Sequence, residues 1–456
     1  MPKSLTFSSR INETGVDIRF NNNVYPISYP DKVWSDTPTD LRRALRDNLA
    51  LATTIHLPLV FKAEMAKYDT GRPYLEPYFF LNFLRDLPSC AVVDGSSSEE
   101  MVRSFIQTQY LFDDPEVCFP SLEAPKDAEK AIISLSFGKD SLLSYGVAEE
   151  IGLEPEMVYI IERSMKYEFK HKRELGLKFE KEFGKRLHTI MHETSLLRDY
   201  DHLKMPFSDL GWGLQSTEYA LELLPLSYSL GGKYILFGNE QSTASNYLDN
   251  EKNWNIYPSF DQSPEWTKHI DQATLAFSGR GVNTASLIEP LMDILVQRIL
   301  IKRYPQYAKY QNSCFTRSEQ GKDYRWCHSC GICAEMYLLS VAFANADPGL
   351  IGFRENMFDK AKIPLFAVFD NPVESYRDSP LGRDSDVFCL YLASRNGVSG
   401  AVIDAFRQSD LYEEARSRED EFYKKFFTLY DPITIPSELR KPTLTIYREE
   451  IENLEL

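Results

Sequence analysis

The sequence predicts an α/β protein built on a parallel sheet with helices on both faces. Three observations carry that expectation. Residues 128–345 alternate strand-like and helix-like patterns. A Ser/Gly/Asp turn stands where the first of those strands runs into its helix. Four cysteines at metal-ligand spacing, Cys314, Cys327, Cys330 and Cys333, fall near the end of the same segment.

Residues 1–120 open with alternating stretches at 15–20 and 23–27 and continue with helical patterns at 40–51, 79–87 and 98–110. They predict a small α+β accessory domain. Residues 119–127 contain two prolines and read as a linker. Strands are then expected at 131–135, 157–161, 188–191 and 233–237, and helices at 141–151, 172–183, 217–230 and 290–304. Residues 346–456 read as a mostly helical accessory segment, with acidic and aromatic residues interleaved over 411–430.

The bulk properties narrow the function. A chain of 456 residues is long enough for about three domains. A net charge of −16 argues against a broad nucleic-acid surface. No apolar run approaches membrane-spanning length, the first residues do not read as a signal peptide, and the cysteine usage fits a reducing cytoplasm.

The turn reads Ser134-Leu135-Ser136-Phe137-Gly138-Lys139-Asp140-Ser141. A strand, a tight turn and a helix N-terminus form an anion site, because unpaired N–H groups and the helix dipole point at one spot. Ser136 and Ser141 add hydroxyls, Gly138 permits close approach of the backbone, and Asp140 suits a helix cap. There is no G-x4-G-K-[ST] loop. The cysteines, with C-x2-C-x2-C and a fourth thiol thirteen residues upstream, suit tetrahedral zinc. An iron–sulfur cluster and a redox pair use overlapping spacings.

Together these motifs resemble the ATP-pyrophosphatase loop family, and residues 128–345 resemble its 7-cyano-7-deazaguanine synthase branch. The resemblance rests on the 136–141 turn, on Tyr167-Glu-Phe-Lys-His171-Lys-Arg-Glu174-Leu, on the stretch from Gly211-Trp-Gly-Leu to Gly238-Asn239-Glu240, and on the cysteine knuckle, in that order. Two departures stand out. Phe137 replaces the first glycine of the family loop, as in the sulfate-activating branch, and residues 239–249 form a longer loop.

The resemblance implies an adenine-nucleotide alpha-hydrolase-like sheet and a reaction that adenylates a carboxylate with ATP and Mg²⁺. The carboxylate would be 7-carboxy-7-deazaguanine, and the acceptor ammonia or a protein amine. It implies catalytic roles for Ser136, Lys139, Asp140 and Ser141. Nucleotide binding would add Ser134, Phe137, Gly138 and Gly238. Tyr167, His171, Glu240, Asp261 and Arg280 would meet the substrate, and the four cysteines would hold structural zinc. Each has a plainer reading: His171 as a packed histidine, Glu240 and Asp261 as solvated loop acids, Arg280 as an exposed cation. The aromatic stretch 254–266 is either a stacking surface or a loop anchored on the core. Sulfate or tRNA activation, and a non-catalytic partner binding proteins through its flanks, are the alternative functions. A homo-oligomer is compatible with all of them.

Overall fold

A computed structural model describes residues 3–120, 129–165, 167–249, 253–279, 281–316, 319–344, 347–370 and 379–454. Its strands are β1 (Ser4–Ile11), β2 (Gly15–Phe20), β3 (Asn23–Ser28), β4 (Met65–Gly71), β5 (Gln109–Asp114), β6 (Lys130–Ser134), β7 (Glu154–Glu162), β8 (Leu187–His192), β9 (Tyr234–Leu236), β10 (Tyr247–Leu248), β11 (Asn255–Ile256) and β12 (Asn283–Ala285). Among the described residues the short β10 and β11 pair only with each other. The other ten form one sheet in the order β12-β9-β6-β7-β8-β3-β2-β1-β4-β5.

From β12 to β8 every neighbour is parallel. β6 has β7 on one side and β9 on the other, so the chain reverses its direction of winding at β6 and β9. In sheets of this kind a crevice opens at that reversal, outside the carboxyl ends of the two strands. Side chains alternate across the sheet with period two. Ala131 and Ile133 of β6, Met157 of β7, and Tyr234 and Leu236 of β9 enter one core. Ile132, Val158, Ile160 and Ile235 enter the other.

The two flanks divide between these cores. Residues 3–120 contribute β1–β5, joined through antiparallel β3 and β8, where Ile27 lies opposite His192. Their helices Thr39–Ala52 and Glu76–Val93 share the second core with helices Gln215–Leu230 and Pro264–Phe277. Helix Pro380–Arg395 and the helices after it share the first core with helices Lys139–Glu150, Asp293–Arg303 and Gly331–Val341. Each fully buried Leu or Phe contributes about 1.5–3 kcal/mol, so each flank is bound to the parallel sheet by the burial that folds it.

The predicted middle elements are present with ends shifted by a few residues. β1, β4, β5 and β12 were not expected. Three-residue β12 is too short for periodicity to register. Among the described residues no helix is long and apolar enough to cross a membrane.

Candidate functional site

β6 ends at half-buried Ser134, and helix Lys139–Glu150 starts at the next turn with Gly138 as its N-cap. Between them Phe137 has a φ of 59°. A side chain in this left-handed region costs about 1–2 kcal/mol. The cost is offset because the Phe137 ring is fully buried, 6.3 Å from the Phe179 ring, and its carbonyl accepts the Asn312 N–H at 2.7 Å. The expected glycine is thus replaced by a residue that adopts glycine's backbone and is anchored by burial.

Exposed Ser136 accepts the Gly138 N–H at 3.3 Å, and its Oγ lies 3.3 Å from the Ser141 hydroxyl. Ser141 donates to the Gly138 carbonyl at 3.2 Å. The N–H groups of a first helical turn have no acceptor within the helix, so donors and hydroxyls gather at one mouth. The loop after β9 closes against it. A Cβ on Gly238 would lie 2.7 Å from Asp140 Cβ and 3.0 Å from the Ser141 nitrogen, so only glycine allows this approach.

Beneath the mouth Lys139 is buried, its Nζ 2.5 Å from Asp140 Oδ1 and 3.0 Å from Glu240 Oε1. Burial lowers its pKa, but the carboxylates of Asp140, Glu240 and Asp293 outweigh that and raise it, so the ammonium keeps its charge. Burial pushes Glu240 up to about 8, against the pull of Lys139 and with Asp140 and Asp293 adding to the rise. Glu240 Oε2 is buried and has no hydrogen-bond partner among the described residues. Among the described residues two carboxylates, Asp140 and Glu240, contact this one ammonium, an arrangement that suits a further proton or cation. The centre opens to solvent through Ser136 and Asp140, whose side chain is 32% exposed.

A second charged centre lies at the same end of the sheet, at the final residues of β7 and β8. Arg198 donates to Glu162 at 2.6 Å, to Glu218 at 3.0 Å and to the Gly211 carbonyl at 3.2 Å, and its guanidinium lies 4.8 Å from the Trp212 ring. His192 Nδ1 is 2.7 Å from Glu222. Burial would raise the Glu162 carboxyl, yet Arg198, His192, Tyr219 and Gln215 hold it down at about 2. Burial lowers the His192 pKa, but Glu222 outweighs it and the net direction is up. All five charged residues are buried.

The remaining predicted residues spread out. Tyr167 donates to Glu319 at 2.5 Å, and His171 Nε2 lies 2.7 Å from the Gly321 carbonyl. Both tie helix Glu168–Phe183 to the segment between Cys314 and Cys327. Asp261 is buried rather than solvated. It accepts the Ser216 N–H at 3.1 Å, at the positive end of helix Gln215–Leu230, and burial pushes it up to about 6. Trp266 and Phe260 are buried, and Tyr257 is half-buried under Arg85, so most of the aromatic stretch anchors a loop on the core. Arg280 lies outside the described residues.

Sequence reasoning missed Asp293, Glu162, Arg198, Glu218, Glu222 and His192. Glu218 and Glu222 did carry a signal: two acids one helical turn apart among Ala220, Leu221, Leu223 and Leu224. The others sit on separate elements, with no spacing to betray them.

The four cysteines converge, their sulfurs all within 4.8 Å of one another. Cys327 is 3.4 Å from Cys330 and 3.7 Å from Cys333, and Cys314 is 4.0 Å from Cys330. Tetrahedral bonds of about 2.3 Å separate ligand sulfurs by about 3.8 Å, so the four thiols are positioned to bind a metal ion. The Thr316 and Cys333 N–H groups donate to Cys314 and Cys330. His328 points elsewhere, its Nε2 accepting the Arg354 N–H at 3.2 Å. No protein-family model and no curated protein matches the chain.

Proposed function

We propose that the chain is an ATP-dependent ligase of the ATP-pyrophosphatase loop type, with an adenine-nucleotide alpha-hydrolase-like sheet. It activates a carboxylate as the adenylate and releases pyrophosphate. One observation carries the reading: the 136–141 turn and the 238–240 loop meet at the reversal between β6 and β9, and between them lie a charged lysine and a buried carboxylate oxygen that has no partner among the described residues.

In this reading the phosphates of ATP lie on the Ser136 and Ser141 hydroxyls and the N–H groups of the first helical turn. The orphaned Glu240 oxygen and half-exposed Asp140 fit a divalent cation, and Mg²⁺ held there supplies charge neutralisation to the phosphates. Lys139, clamped by the same acids, orients them. A carboxylate oxygen of the substrate bonds to the α-phosphorus, and the bond from that phosphorus to the pyrophosphate oxygen breaks. An amine nitrogen then bonds to the acyl carbon, the bond to AMP breaks, and the amine gives up a proton. Positioning and fixed charge supply the acceleration. The resemblance to the synthase branch supports 7-carboxy-7-deazaguanine as the acid, ammonia or a protein amine as the acceptor, and a structural Zn²⁺ on the four thiolates in a cytoplasmic enzyme.

The test is pyrophosphate release with ATP, Mg²⁺ and 7-carboxy-7-deazaguanine, with and without ammonium, followed by mass spectrometry. AMP and pyrophosphate in equal amounts, with an amide or nitrile product, are expected. Absence of substrate-dependent pyrophosphate removes this acid and brings sulfate or tRNA activation forward. Elemental analysis is expected to find one zinc per chain. Iron with visible absorbance would replace zinc by a cluster.

A further inference from the structure

The loop bearing Glu240 is held from behind by residues 286–293, a buried connector between β12 and helix Asp293–Arg303. The Ser286 hydroxyl donates to the Asn239 carbonyl at 2.7 Å, and the Leu291 carbonyl accepts the Gln241 N–H at 2.9 Å. These two bonds bracket Glu240 on either side. At its far end the connector delivers Asp293, the third carboxylate acting on Lys139.

The connector is itself held by the carboxyl-terminal segment. Both oxygens of the buried Glu289 carboxylate accept from it: Oε1 from the Ile433 N–H at 3.0 Å, Oε2 from the Thr434 N–H at 2.7 Å and hydroxyl at 2.6 Å. Thr434 Oγ1 also accepts the Ser286 N–H at 3.2 Å. The Tyr430 N–H donates to the Pro290 carbonyl, and the Tyr447 hydroxyl donates to the Leu287 carbonyl. Ser385 donates to Asp293, 3.1 and 3.3 Å from its two oxygens. Ser286 therefore has Thr434 on its nitrogen and Asn239 on its hydroxyl, one residue from Glu240.

We propose that the carboxyl-terminal segment completes the phosphate site, with Thr434 and Ser385 as positioning residues that hold Glu240 and Lys139 through the 286–293 connector. The catalytic meaning of that positioning rests on the ligase reading; the mechanical coupling does not. A carboxylate that is buried and short of partners is held in place by a backbone fixed from outside; here the connector makes the fixing bonds, and the connector is in turn held by a segment about 190 residues beyond Glu240 in the chain.

Thr434→Val, with Thr434→Ser as the rescue and Ser385→Ala as the milder probe, tests this in the full chain. In Thr434→Val, amide exchange over residues 238–241 is expected to rise about tenfold or more while β7 keeps its protection. Thr434→Ser is expected to restore it. The kcat for pyrophosphate release is expected to fall about tenfold with the KM for ATP nearly unchanged, as for positioning lost in the transition state. Unchanged exchange over 238–241 in a folded Thr434→Val protein overturns the proposal. A chain that releases no pyrophosphate in any form overturns the ligase reading, and exchange still decides the coupling. Should Thr434→Val not fold, Ser385→Ala is read by amine-reactive labelling of Lys139. A rise of about threefold is expected, and an unchanged rate in the folded protein overturns the proposal.

Discussion

The Lys139 and Arg198 centres lie at the same end of one sheet and are built from the same kinds of group, yet they differ in access. Around Lys139 the Asp140 and Glu240 carboxylates clamp the ammonium, and Ser136 and Asp140 reach solvent. Around Arg198 a guanidinium and an imidazole face three carboxylates, and every member is buried. The open centre can be reached by a soluble ligand through Ser136 and Asp140. The closed one ties β7, β8 and helix Gln215–Leu230 together beneath the seam where β3 joins the parallel strands. Nearness to the carboxyl end of a strand therefore does not by itself mark a ligand site, nor does a buried carboxylate oxygen without a partner among the described residues, since Glu222 Oε2 is one too; exposure separates the two centres.

Truncating the closed centre gives the largest expected effect on stability. Arg198→Ala leaves Glu162 and Glu218 buried without their cation and is expected to cost about 3–5 kcal/mol in chemical denaturation. A loss under about 1 kcal/mol would mean that this centre is solvated and the contrast is false. At the open centre, under the proposed ligase function, Asp140→Ala is expected to lower pyrophosphate release about 10²–10³-fold while the thermal midpoint stays close to that of the wild type. Equal losses of stability at the two centres would erase the distinction.

Phe137→Gly sharpens the reading of the turn. It relieves about 1–2 kcal/mol of backbone strain and gives up a buried ring worth about 3–5 kcal/mol. A net loss of about 2 kcal/mol is expected, and a more stable variant would show that burial does not anchor the turn.

The smallest effect concerns pH. Burial, with help from Asp209 and Asp261, pushes Asp86 from 3.8 up to about 8. Between about pH 4 and 8 the unfolded chain releases this proton and the folded chain keeps it, so stability falls as pH rises through that window and levels off above it. Asp86→Asn is expected to flatten the decline by on the order of 1–2 kcal/mol between pH 5 and 8, measured by denaturant midpoints. A decline as steep as in the wild type would place the titration elsewhere.

Much of this protein was legible before folding. The alternation over 128–345 marked β6 to β9 and their helices, because period-two and period-3.6 burial is written locally. The 136–141 turn and the cysteine knuckle were visible because both sites are nearly contiguous in the chain. Cys327, Cys330 and Cys333 need only one turn and one helix start to converge, and the Cys330 sulfur accepts the Cys333 N–H as that helix begins.

What remained hidden depends on contacts between distant segments. The chain shows acids at 140, 162, 240 and 293 but not that Asp140 stays partly open to solvent while the other three are buried, since exposure is set by what packs above each. The N-terminal part gave no sign that β3 would pair with β8. The C-terminal part gave none that Thr434 would stand behind Glu240. Local sequence determined the strands, the strand-to-helix turn and the metal-ready thiols, because each answers to its own neighbours in the chain. Only the tertiary structure decided which charges meet and which are sealed, because burial and pairing energies belong to groups brought together across hundreds of residues.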